Sequence, residues 1–161
     1  MNTHSQSSPP LPLTHEDRAR LRRRIKLRDI AELGAGTLAA PLQVSHGRGA
    51  MLWASAQFQS IPAVGPAAAQ WLLDLGYRSL EDLQEESGPA LLDRLEVLYG
   101  HWMDPCVEDV LWCVVHRANH PGSDKVWHHF TDERKSYRNA EGYPSSRPTQ
   151  AWYDVSEPSA P

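Results

Sequence analysis

The chain has 161 residues, of which 40% are hydrophobic and 22% are charged, and its formal net charge is −4. This is the composition of an ordinary soluble protein that is long enough to bury a core. No apolar run approaches the roughly 18 residues that span a bilayer, and the first residues lack the pattern of a secretion signal. We therefore expect a cytoplasmic protein with no membrane partner.

The net charge hides an uneven distribution along the chain. Residues 1–60 carry eight Lys and Arg against four Asp and Glu, whereas residues 61–120 carry three against ten. A basic arm therefore precedes an acidic core, and this order bears on any anionic partner.

The N-terminal part predicts a disordered segment over 1–13, which is polar and rich in proline, followed by a basic helix over 14–28. Thr14 is the expected N-cap, with Glu16 and Asp17 in the first turn. Seven cations surround most of the helix and give it the charge of a nucleic-acid contact: Arg18, Arg20, Arg22, Arg23, Arg24, Lys26 and Arg28. A solvated arm or another anionic partner is the alternative interpretation.

Short helical pieces separated by glycine follow over 27–34 and 36–43, and Ser45 is positioned to cap a third over 46–58. This layout is similar to a degenerate first copy of the helix-hairpin-helix pattern that residues 60–83 show more clearly.

Residues 60–83, SIPAVGPAAAQWLLDLGYRSLEDL, have the pattern of a helix-hairpin-helix. The hairpin turn (residues 61–65) is followed by Pro66 at the first helical position and by Gly76 just past the helix end. Backbone amides at such a helix start can hold an anion, for example a DNA phosphate. We expect the amides of Ala63, Val64, Gly65 and Ala67 to form this contact.

The remaining segments also predict helices. Ser79 with Asp82 begins one, Pro89 to Gly100 forms another with Leu91, Leu92, Leu95, Leu98 and Tyr99 on one face, and Asp104-Pro105 begins a third. The predicted fold is all-α: a compact bundle of short helices over 14–138 that contains the helix-hairpin-helix, followed by a flexible tail over 139–161.

The hairpin, the helix start Asp104-Pro105-Cys106-Val107-Glu108-Asp109 and the Trp127 to Arg134 segment resemble the bacterial "pathogenicity locus" family of helix-hairpin-helix proteins. The resemblance covers about residues 27–138. It implies a small DNA-binding or DNA-repair-associated accessory factor, in a family linked by name to mitomycin resistance. The chain departs from the family in carrying Ala63 where a glycine is usual and alanines where a lysine often follows the hairpin.

Four side chains invite comparison with a metal or thiol site: Cys106, Cys113, His116 and His120. Cys113, His116 and His120 share one helical face, but the spacing lacks the paired-cysteine pattern of a zinc site. We favour the interpretation that they are core residues, with a metal or redox role as the alternative. The cysteines are too far apart along one helix for a disulfide. The acids Asp104, Glu108 and Asp109 are explained as first-turn residues of a helix.

Two functions are consistent with these patterns. The first is a non-enzymatic DNA-binding module that contacts the phosphate backbone without reading sequence and needs no metal or cofactor. The hairpin amides and the cations Arg20, Arg22, Arg23, Arg24, Lys26 and Arg28 would form its site. The second is a protein-interaction adaptor whose acidic face meets a basic partner.

Overall fold

The computed structural model describes residues 8–22 and 24–155, and all regular secondary structure in those ranges is helical. An isolated bridge between Trp102 and Ala151 accompanies the helices. The all-α prediction is confirmed. The chain divides into two compact units, residues 1–82 (unit 1) and 83–161 (unit 2). No helix among the described residues is long and apolar enough to cross a membrane.

Unit 1 is built around a long central helix. Its helices are α1 (His15–Leu21), a 3-10 helix (Leu27–Glu32), α2 (Ala39–Leu42), α3 (His46–Gln59) and α4 (Pro66–Asp74). One apolar cluster holds α1, the 3-10 helix, α2 and α3 together, and its buried members are Leu11, Leu21, Ile30, Leu38, Leu42, Leu52 and Ala56. α4 packs against α3, but none of its residues belongs to this cluster.

The first helix begins as predicted but ends early. The hydroxyl of Thr14 accepts from the Asp17 amide at 3.1 Å, and the Asp17 carboxylate accepts from the Thr14 amide at 3.0 Å. α1 stops at Leu21, so the helix predicted over 14–28 is wrong beyond that residue. Leu21 is the last buried side chain of α1, and cations spaced four apart repel each other on a helix.

The segment before α1 is ordered in its described part. Leu11 is buried in the core of unit 1, and the Gln59 side chain donates to the Pro10 carbonyl at 3.1 Å. The disorder predicted over 1–13 is therefore wrong for residues 8–13, because an apolar residue in this proline-rich segment finds a place in the core. Residues 1–7 lie outside the described residues.

The expected first copy of the hairpin has a counterpart in the backbone. Gln43 and Ala63 are the two non-glycine residues with positive φ in the described chain, at 56° and 63°. Each lies three residues before a helix start and is followed by a valine and then by the N-cap residue. The turn before α3 therefore repeats the turn before α4.

Unit 2 comprises α5 (Gly88–Tyr99), α6 (Pro105–Asn119), a 3-10 helix (Trp127–Phe130), α7 (Thr131–Glu141) and a final 3-10 helix (Trp152–Asp154). The helix predicted after Ser79 is only a 3-10 turn over 81–83. α5 ends at Gly100 as predicted, with φ 76°. Leu98 and Tyr99 are exposed rather than buried, because the inward positions of the last turns are Leu92, Leu95 and Glu96.

Most of the predicted flexible tail is anchored. α7 continues to Glu141, beyond the predicted domain end at 138. Further on, the Trp102 amide donates to the Gln150 carbonyl at 2.9 Å, and the Trp152 amide donates to the Trp102 carbonyl at 2.8 Å. The prediction of a free tail is wrong for residues 139–155, and residues 156–161 lie outside the described range.

Gly88→Ala is expected to destabilise unit 2, because Trp112 of α6 leaves no room for a Cβ at this position of α5. An added Cβ would lie 2.6 Å from Cδ1 and 2.9 Å from the backbone nitrogen of Trp112. Overpacking of this kind costs about 1–3 kcal/mol. Urea unfolding of the variant measures the loss. Gly122→Ala is the matched control, since nothing lies within 4 Å of its Cβ position. Equal stability of the two variants would contradict the prediction.

Candidate nucleic-acid interface

The hairpin turn connects α3 to α4 and is fixed by two buried side chains. Ile61 and Val64 are 1% and 6% exposed, and the Val64 amide donates to the Ile61 carbonyl at 3.1 Å. The intervening residues Pro62 and Ala63 are exposed, as is Gly65. The apolar residues of the sequence pattern therefore hold the turn, and the residues between them face outward.

The left-handed residue of this turn is Ala63, with φ 63°, and not Gly65. Gly65 is the N-cap of α4 with φ −97° and ψ −177°, a conformation that any residue adopts. No side chain caps the helix at this end, and a Cβ on Gly65 would meet nothing within 4 Å. The turn therefore presents open backbone at the start of α4.

The amides predicted to hold an anion differ in their availability. The Val64 amide is used inside the turn, whereas no acceptor among the described residues takes the amides of Ala63, Gly65 or Ala67. The first hydrogen bond of α4 comes from Ala69 to the Gly65 carbonyl, at 3.1 Å. Unpartnered amides at a helix start carry the positive end of the helix dipole. Three of the four predicted amides thus have no partner among the described residues.

Ala63→Gly is expected to stabilise unit 1 by about 0.5–1 kcal/mol. A left-handed alanine is strained by about 1–2 kcal/mol, and the greater freedom of glycine in the unfolded chain offsets part of the gain. Denaturant unfolding measures the change. Ala19→Gly, on the exposed side of α1, should lower stability, because glycine in an ordinary helix is unfavourable. A loss of stability in both variants would show that Ala63 is unstrained.

The predicted cations fall into two groups. Arg20 is used within the fold, since its guanidinium pairs with Glu16 and donates to the Leu42 carbonyl at 2.7 Å. Arg28 lies 3.8 Å from Asp29. Arg22, Arg24 and Lys26 are exposed and have no side-chain partner among the described residues. Arg23 lies outside the described residues.

Arg20 and the hairpin turn lie at opposite ends of α3. The Leu42 carbonyl that Arg20 contacts comes four residues before α3 begins, whereas the hairpin turn starts two residues after it ends. A helix of 14 residues is about 20 Å long. A single phosphate cannot touch both ends, so any polyanion that uses both must extend along α3.

The core interpretation of the four cysteines and histidines is right for Cys113, which is buried, and wrong for Cys106 and His120, which are exposed, while His116 is half-buried. Cys113 is buried, its thiol donates to the Lys125 carbonyl at 3.6 Å, and burial raises its pKa to about 11. His116 bonds through Nε2 to the Ser123 hydroxyl at 2.9 Å, and the His120 ring stacks on it at 4.4 Å. Within the described ranges, no three Cys, His, Asp or Glu side chains are grouped as metal ligands. The Asp104 hydrogen bond, with burial, raises the pKa of Cys106.

The acids at the start of α6 do more than stabilise a helix end. Asp109 is buried and pairs with Arg134 at 2.5 Å, while its second oxygen accepts from the Thr131 hydroxyl at 2.8 Å. Glu108 is buried and accepts from Nε of Arg138 at 2.9 and 3.1 Å. Burial raises the pKa of Glu108, against the opposing effect of Arg138. The helix-start explanation is right for Asp104, the N-cap, which accepts from the Cys106 amide at 2.8 Å, but it is incomplete for Glu108 and Asp109, which also form buried ion pairs.

A further ion pair anchors the chain after α7. Glu96 is fully buried on α5, where its carboxylate accepts from Arg147 at 2.7 and 3.0 Å and from the Met103 amide at 2.8 Å. The Tyr143 ring lies between two guanidinium groups, 4.2 Å from that of Arg138 and 3.6 Å from that of Arg147. The sequence did carry a signal for the ion pairs of α7: Arg134 and Arg138 are four apart on a helix that has few apolar residues to bury.

Arg138→Met is expected to cost about 3–5 kcal/mol of unfolding free energy, because it leaves the buried Glu108 carboxylate without its partner. The double variant Arg138→Met/Glu108→Gln should recover part of the loss. Arg94→Met is the control: its pair with Glu86 is more exposed and worth at most about 1 kcal/mol. Urea unfolding compares the three, and equal losses for Arg138→Met and Arg94→Met would refute the prediction.

Comparison with known proteins confirms the predicted family. The family model described as "Pathogenicity locus" (Cdd1) matches residues 53–136, more than half of the chain. The Mitomycin resistance protein McrB of Streptomyces lavendulae is 28% identical over 80 residues, which cover 50% of this chain and 75% of that protein. No solved structure matches the chain. The matched region contains the hairpin turn, but not the predicted cations between Arg20 and Arg28.

Proposed function

This chain belongs to the Pathogenicity locus family, and from that premise we propose that it is a non-enzymatic DNA-binding module. Its hairpin turn, with α3 and α4 as the two helices of a helix-hairpin-helix, holds a backbone phosphate without reading the base sequence. The observation that supports this most directly is the set of exposed amides at Ala63, Gly65 and Ala67, which have no acceptor among the described residues.

A second contact to the same DNA comes from the cations that follow α1, which we call the arm. Arg22, Arg24 and Lys26 are exposed and unpaired among the described residues, so they are available to displace counterions from phosphates. Arg20 precedes these cations and contacts Leu42, before the start of α3, whereas the hairpin turn follows its end, so a DNA that meets both ends of this helix of about 20 Å is contacted at two or more separate phosphates. The hairpin orients the module, and the arm supplies the long-range attraction.

The family comparison also bears on the biological role. The relative McrB is named for mitomycin resistance. We propose that this chain is an accessory factor that acts on DNA, in a repair-associated role.

The alternative function, an adaptor with an acidic face for a basic partner, has less support. It relied on the acidic residues of 61–120, yet Glu96, Glu108 and Asp109 are buried and paired with arginines inside unit 2. Their charges are neutralised within the fold, which leaves fewer acids to attract a basic partner.

A charge placed at the hairpin turn tests the site. Gly65→Glu should abolish binding of labelled DNA in fluorescence anisotropy, because a carboxylate would occupy the phosphate position. The substitution has room, since nothing lies within 4 Å of the Cβ position. Gly36→Glu adds the same charge to unit 1 at an equally open position in a different turn, and should retain most of the affinity. Equal losses in both variants would show that the hairpin turn is not the site.

The arm is tested by its salt dependence. Each of Arg22→Gln, Arg24→Gln and Lys26→Gln should reduce the slope of log affinity against log salt by about 0.9 per lost phosphate contact. Lys135→Gln, an exposed cation in unit 2, should leave the slope unchanged. If the wild type fails to bind single-stranded or duplex DNA even at about 50 mM salt, the proposed function is wrong.

A further inference from the structure

Unit 1 contains a cavity of about 590 Å³ between α3, α4 and the segment that precedes α1, which we call the α3–α4 cavity. Its walls are mainly apolar. Leu11, Leu52 and Leu73 line it with buried side chains, and Met51, which is 40% exposed, lines it too. Cavities of this size with apolar walls and a few polar groups are typical of sites for small molecules.

The α3–α4 cavity adjoins the hairpin turn. Pro66, which begins α4, lines the cavity and lies between Gly65 and Ala67, two of the residues whose amides have no acceptor among the described residues. Ser55 also lines the cavity, four residues or about 6 Å before α3 ends. A nucleotide whose phosphate is held by these amides therefore has the cavity within reach of its base.

The lining of the cavity offers a ligand both a donor and an acceptor. Ser55 is 6% exposed, and its hydroxyl accepts from the Gln59 side chain at 3.1 Å but donates to nothing in the described ranges. A buried donor without an acceptor is costly, so an acceptor on a ligand would stabilise it. Gln70 also lines the cavity and donates to Asp74 at 2.7 Å, while its carbonyl oxygen accepts from no group in these ranges.

The charge of the lining favours a neutral group. Arg48 lines the cavity, but its guanidinium is paired with the buried Asp17 at 2.6 Å. A phosphate inside the cavity would therefore meet a cation that is already neutralised. A nucleobase is uncharged, and its faces pack on apolar side chains. Its edge carries both hydrogen-bond donors and acceptors, which the Ser55 hydroxyl and the Gln70 side chain match.

We propose that the α3–α4 cavity binds an unpaired nucleobase, while the hairpin turn holds the phosphate of the same nucleotide. The inference rests on the proposed DNA-binding function and specifies its substrate, which is DNA with a base outside the double helix. A paired base is stacked between its neighbours and must be extruded to enter a cavity, and extrusion costs least where the base is already unpaired. Because the walls contact the faces that all bases share, the cavity selects for the unpaired state and not for one sequence.

Two labelled duplexes that differ by one unpaired 2-aminopurine test the proposal in fluorescence anisotropy at about 50 mM salt. The wild type should bind the duplex with the unpaired base about tenfold more tightly than the fully paired duplex, because that base enters the cavity without breaking a pair. The 2-aminopurine emission should rise on binding, since the base leaves the stack of its neighbours.

Ser55→Leu fills the cavity and leaves the hairpin amides in place. It should remove the preference for the unpaired base and leave the affinity for the paired duplex unchanged. Gln70→Leu, at an exposed position of the lining, should weaken the preference. Ser136→Leu adds the same side chain at an exposed position of unit 2 and should change neither affinity. Circular dichroism establishes which variants are folded, and only folded variants are compared.

Equal wild-type affinity for the two duplexes would overturn this proposal and leave the DNA-binding function standing, with the cavity left to another occupant. Absence of binding to either duplex would overturn both. A preference that persists undiminished in the folded cavity variants would place the unpaired base elsewhere on the protein, and would also overturn the proposal.

Discussion

The arrangement of unit 2 depends on the ion pairs that the two acids of α6 make with the two arginines of α7. Glu108 and Asp109 are adjacent in sequence and both are buried, so each carries a large desolvation cost that only a positioned cation offsets. Arg134 and Arg138, four apart, present their guanidinium groups on one face of α7. The place of α7 is therefore fixed by charge pairing rather than by an apolar stripe, which this polar helix lacks.

Because of these ion pairs, the net charge of the sequence does not describe the charge on the protein surface. Counted along the sequence, the middle of the chain is strongly acidic, which argues against a nucleic-acid partner. In the fold, three of these acids face inward and are neutralised, while Arg22, Arg24 and Lys26 remain exposed in unit 1, with no partner in the part of the chain that the structure describes. The electrostatic character that a polyanion meets depends on the exposed charges, and the sequence total describes them poorly.

Local signals in the sequence were sufficient for most of the fold. The caps at Thr14 and Ser45, the proline at the start of α4 and the glycine after α5 act within one turn, so their effects are readable without tertiary information. Contacts distant in sequence were not readable: the burial of Leu11, the partners of Glu108 and Asp109, and the anchoring of residues 142–155. At the hairpin, the sequence located the turn and its amides, but not the use of the Val64 amide inside it.

The pairing of Glu96 with Arg147 determines where the chain can be truncated. The family match ends at residue 136, and the last α-helix ends at Glu141, so either point suggests a natural boundary. A chain cut at either place would lose Arg147 and the residues that bond to Trp102, and would leave a carboxylate buried on α5 without a counter-ion. The contacts that hold unit 2 together thus extend beyond the region that matches the family model.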